Sequence, residues 1–221
     1  MNYSVEELVR EARIAIDRNA NSTPLASLGD VDTLTVDEII RSKVEDAARL
    51  VEESAAHELL DAGKPFAASV VWENDVAGYG AGRVILPDDF MRLVTFRMSD
   101  WYRPVTEAIT EEHPIYSMQS SRYAGVRGNP QRPVVAIVHG TAGKELEFYA
   151  CSAGPGVRVD KARYLPLPKV VAGEIDLCPK LQRAVVYRMA SMACAIVGAS
   201  DLAAMLLGTS NELAGIRVDN A

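Results

Sequence analysis

Apolar and polar positions recur along this chain with two different periods, and the period changes twice. From residue 5 the apolar positions Val5, Leu8, Val9, Ala12 and Ile16 fall at helical spacing and predict a helix to about residue 19. Ser4 with Glu7 three residues on reads as its capping box. Residues 20–34, ANSTPLASLGDVDTL, are dense in turn formers and predict a loop. A second capping box, Thr35 with Glu38, opens a longer stripe of Val36, Ile40, Val44, Ala47, Val51, Ala55 and Leu59, closed by Gly63-Lys64-Pro65. The opposite side carries Asp37, Arg41, Glu45, Glu52 and Glu53. One unbroken amphipathic helix over residues 35–62, packed on one side only, is therefore expected.

Beyond Phe66 the period drops towards two. Residues 66–72 predict a strand, 76–82 a glycine-rich loop, and Arg83-Val84-Ile85-Leu86 a short β-branched strand stopped by Pro87. In residues 90–98, Val94, Phe96 and Met98 define one apolar face and Met91, Leu93 and Thr95 a half-apolar one, as in a strand held between two layers. Trp101, Tyr102 and Pro104 follow. Residues 105–125 look irregular. Strands are predicted at 134–139, 146–151 and 157–165, joined by hairpin-like linkers, which suggests neighbours in one antiparallel sheet. Pro166, Pro168 and the small residues near Gly173 read as a linker. From Asp176 the helical period returns, with Leu181, Val185, Met189, Met192 and Ile196 in one stripe. A break at Gly198-Ala199 precedes a last helix carrying Leu202, Met205, Leu206 and Leu213, and the two should form an antiparallel hairpin. The simplest architecture is α+β: a helical bundle made by the N- and C-terminal helices, with an inserted antiparallel β-rich domain. The expected divisions are residues 1–65, 66–172 and 173–221.

Composition adds charge asymmetry. The 221 residues are 48% hydrophobic and 24% charged, ordinary for a globular chain, with a net charge of −7 that argues against gripping nucleic acid. Residues 1–62 hold 14 Asp and Glu against 6 Lys and Arg, whereas the remainder is nearly neutral. That acidic third is either a solvated helix face or a surface for a basic partner. Cys151, Cys178 and Cys194 are odd in number and widely spaced, and only three histidines are present, which does not suit a zinc site. Buried thiols in a reducing compartment are expected instead. With no basic-then-apolar leader and no 18-residue apolar run, a soluble protein made in a cytoplasm is expected, with no membrane contact.

The candidate chemistry is thin. Gly78, Gly80 and Gly82 precede a predicted strand instead of following one, unlike a dinucleotide-binding turn. The run His139 to Glu145 has glycines too close together for a phosphate loop, and Glu145 stands where a Ser or Thr should hold magnesium. No Gly-x-Ser-x-Gly elbow occurs. Cys151 with His139 is conceivable as a nucleophile and base in a small cytoplasmic enzyme, although both sit in predicted strands that need no such role. Asp88 and Asp89 are more simply strand-end caps than metal ligands. No catalytic residue, metal or cofactor is expected.

The stretch Leu86-Pro87-Asp88-Asp89-Phe90-Met91-Arg92-Leu93, continuing to Ser99-Asp100-Trp101 and Arg103-Pro104-Val105, resembles tailed-phage head–tail connectors, the adaptor proteins that dock beneath the portal. The order of helices, β insert and helices is also similar, although the insert is larger than in small adaptors. The resemblance implies a structural virion protein at the head–tail junction, not an enzyme. It implies a ring, twelvefold like the portal, with portal and downstream tail proteins as partners and DNA passing through unbound. Another capsid- or tail-associated virion protein is the neighbouring reading. On this view Leu86, Pro87, Asp88 and Phe90 form the corner between helical body and sheet, and Trp101 and Tyr102 anchor the insert. The β insert and the C-terminal hairpin, through Leu181, Val185, Met189, Met192, Leu202 and Leu206, are expected to make ring contacts. Glu45, Glu52 and Glu53 are expected to line the lumen or meet a basic partner.

Overall fold

The computed structural model describes residues 1–19, 35–66, 69–73, 79–121, 123, 125–140, 143–152 and 157–216. In chain order they form β1 (Asn2–Ser4), α1 (Val5–Asn19), α2 (Val36–Ser42), α3 (Val44–Ser54), β2 (Lys64–Pro65), β3 (Val70–Glu73), β4 (Tyr79–Ile85), β5 (Phe90–Met98) and β6 (Ile109–Thr110). Then come α4 (Pro114–Met118), β7 (Val135–Gly140), β8 (Gly143–Ser152), β9 (Val159–Pro166), β10 (Val170–Val171), β11 (Glu174–Asp176), α5 (Gln182–Ile196) and α6 (Ser200–Leu213). The chain divides into two compact units, Met1–Asp61 with Pro168–Ala221, and Ala62–Leu167.

The expected bundle is not what forms. Among the described residues there are six α-helices and eleven strands in three sheets, a mixed α/β architecture in which the helical unit has its own sheet, ordered β1-β11-β10. The helices do not line up as bundle neighbours; α1, α2, α3 and α6 all pack on α5. The reason lies in the composition of α5. Its buried positions Ala184, Val185, Val186, Met189, Ala190, Ser191, Ala193 and Cys194 run around most of its circumference, and a helix apolar on all sides belongs at the centre. The hairpin with α6 forms as expected. Two buried serines bind it antiparallel: Ser191 donates to the Ala203 carbonyl at 2.7 Å, and Ser210 to the Ala184 carbonyl at 2.8 Å.

The second long helix is also corrected. Its capping box is present, with Thr35 and Glu38 bonded reciprocally, but the helix breaks at Lys43 and ends at Ser54. Ser42 donates its hydroxyl to the Ile39 carbonyl at 2.7 Å, a local bond that competes with the helical ladder. Ser4, expected to cap α1, lies in β1 opposite Glu174. The expected linker near Gly173 is a hairpin, since Val171 pairs with Glu174 and both intervening residues, Ala172 and Gly173, have positive φ. The predicted loop at 20–34 lies outside the described residues.

In the unit Ala62–Leu167 the single expected sheet is two sheets. One is ordered β3-β4-β8-β7-β6 and the other β2-β9-β5; β6 and β7 run parallel, while the other pairs are antiparallel. The expected loop at 76–82 runs into β4 from Tyr79, and the third predicted strand pairs with β5, not with β8. The core between the sheets takes Val84, Leu146, Phe148 and Val135 from one and Leu93, Phe96, Met98, Ala162 and Tyr164 from the other, with Leu86, Phe90 and Trp101. Irregularities in the β5 register between Leu93 and Thr95 and between Arg97 and Met98 accompany the burial of both Leu93 and Val94: Leu93 joins the core between the sheets, whereas Val94 packs beside Gly63.

A glycine at the start of this unit is required by backbone geometry. Gly63 has φ of +68°, and a Cβ there would lie 2.6 Å from the Tyr164 carbonyl oxygen, in the β2–β9 pairing. Gly63→Ala should destabilise the protein by about 2 kcal/mol or more, from the left-handed penalty plus the backbone clash. Urea denaturation measures it, and an unchanged midpoint would contradict this geometry.

Candidate functional site

The motif stretch is where both sheets meet. Leu86 follows β4 of the five-stranded sheet and Phe90 begins β5 of the other, so the corner joins two sheets instead of joining helices to a sheet. The Leu86 N–H donates to the Lys144 carbonyl at 3.0 Å and the Phe90 N–H to the Pro87 carbonyl at 2.9 Å. Asp89 holds the far side twice: its carbonyl accepts the Leu167 N–H at 2.7 Å, and its carboxylate accepts the Tyr164 hydroxyl at 2.7 Å. Burial and that bond push the Tyr164 phenol up to about 12. Phe90 stacks on the same ring at 5.8 Å. Asp88 is exposed and Pro87 half-buried. The two aromatics expected to act together are split: Trp101 is 1% exposed and Tyr102 77% exposed.

On the outer face of the five-stranded sheet, Arg83 gathers three carboxylates. Its Nε lies 2.8 Å from Glu73 and 2.9 Å from Glu147, and its Nη1 lies 3.6 Å from Glu145. Nε makes no well-directed hydrogen bond despite these distances, so the attraction is ionic. Glu147 also accepts the Tyr116 hydroxyl of α4 at 3.0 Å and the Tyr149 hydroxyl. Burial and then the Glu147 carboxylate raise the Tyr149 phenol, so it is a donor and not a nucleophile at neutral pH. Burial disfavours the Arg83 charge, and Glu147, Glu73 and Glu145 more than compensate. The network ties β3, β4, β8 and α4 together. Sequence reasoning missed it, yet a signal was present: Glu145, Glu147 and Tyr149 alternate with Leu146 and Phe148, the period of a strand with one polar face.

In the helical unit two of the three expected lumen acids turn onto their own chain. Glu45 is exposed but accepts the Val170 N–H at 2.7 Å, beside a groove of about 440 Å³ lined also by Glu6, Arg41 and Asp46. Glu52, 4% exposed, accepts the Cys178 N–H at 2.7 Å. Seven residues apart on α3, these carboxylates hold the chain at the start of β10 and just past β11. Glu53 is exposed. Leu181, Val185, Met189 and Leu206 are buried around α5 and α6, whereas Met192 and Leu202 are half-buried.

Burial raises the Glu52 carboxyl, the Cys178 bonds lower it, and Asp176 raises it further. A raised carboxyl contributes stability below its unfolded pKa, near 4.3, and loses it as pH climbs through the folded value. Glu52→Gln should therefore gain on wild type in denaturation midpoint between pH 4 and pH 7. A variant that loses ground over that interval would show that the charge is welcome where it sits. Cys178 beside it is a buried thiol pushed up to about 12 by burial first and the Glu52 charge second, so it is no nucleophile.

Scanned against models of known families and against curated proteins, the chain matches none. The runner-up pair of Cys151 and His139 fails on register. His139 pairs with Lys144, and Cys151 stands seven residues farther along β8, roughly 23 Å away at strand rise. Among the described residues no group of His, Cys, Asp and Glu could hold a metal ion, and no helix is long and apolar enough to cross a membrane.

Proposed function

We propose that the protein is a structural subunit of a tailed-phage virion, an adaptor at the head–tail junction that works as a ring beneath the portal. The observation that carries this reading is how the motif stretch is used. Leu86, Phe90, Phe96, Met98 and Trp101, from the stretch whose sequence resembles connector adaptors, are all buried in the core that joins the two sheets. A motif devoted to holding one rigid shape suits a building block whose partners read its surface. The net charge of −7 suits a channel wall along which DNA slides, since like charge disfavours adhesion. Of the acids expected on that wall, Glu53 is exposed and bears on DNA, while Glu45 and Glu52 position the β10–β11 segment.

The test is binding to the cognate portal. Full-length protein mixed with purified portal and viewed by negative stain should add a closed ring of density, twelvefold like the portal, to one end of each particle. Portal particles unchanged at saturating protein would overturn the reading.

A further inference from the structure

No further inference is drawn: the strongest candidate, the acidic groove of about 440 Å³ lined by α1, α2, α3 and β10, has its Glu6, Glu45 and Asp46 already engaged within the chain by Arg41, the Val170 N–H and Arg49, and nothing in the structure points to a ligand there.

Discussion

Trp101→Ala should cost about 4 kcal/mol of folding stability, whereas Tyr102→Ala, one residue away, should cost less than about 0.5 kcal/mol. The two side chains look equivalent in sequence and are opposite in structure. Trp101 stands edge-on to Phe96 at 5.7 Å and to Phe148 at 6.4 Å, bridging the rings of β5 and β8. Its turn is fixed from both sides: its N–H donates to the Met98 carbonyl at 3.0 Å, and its own carbonyl accepts the Arg97 Nε–H at 3.2 Å. The pocket cannot collapse around an alanine, so the cavity cost adds to the lost transfer energy. Against a total stability of roughly 5–15 kcal/mol, that loss should be plain in urea denaturation. Comparable small losses at both positions would mean that the ring does not join the sheets.

Arg83→Ala should destabilise by about 2–3 kcal/mol, somewhat below the roughly 3–5 kcal/mol of breaking a fully buried pair because the guanidinium is partly open to water. Its removal leaves Glu145 and Glu147, both buried, without their cation. Most of the cost is that stranded charge. Arg83→Met combined with Glu147→Gln should therefore recover part of the loss, because removing both partners leaves less charge unpaired. The deficit of the single variant should persist in high salt, which screens exposed pairs far more than buried ones. A deficit that vanishes with salt, or a double variant worse than the sum of its parts, would contradict the role given to Arg83.

What could be read from the sequence was mostly local. The Thr35–Glu38 box, the α5–α6 hairpin and the cores of β5, β7, β8 and β9 all follow from side chains a few positions apart. Pairing was not legible, since β9 lies beside β5 across more than sixty residues and nothing local distinguishes that from pairing with β8. The bundle expectation failed because an apolar helix such as α5 reads as one more stripe until its neighbours are counted on every side. The strands β10 and β11 are too short and too close to prolines to show a period. Glu52 read as part of a charged face because it neighbours Val51 at the edge of the stripe, and only tertiary packing shows that it points inward. Trp101 and Tyr102 could not be separated because Trp101 ends a tight turn, where neither period applies.

Native-state hydrogen exchange tests most directly whether the motif stretch is the structural heart of its unit. Hydrogen-bonded amides of β5, together with the Trp101 N–H, should exchange only through global unfolding of that unit, more slowly than any amide of β3, the last strand of the five-stranded sheet among the described residues. Exchange of the Phe96 and Trp101 amides through local openings, with β3 better protected, would contradict the placement of the core.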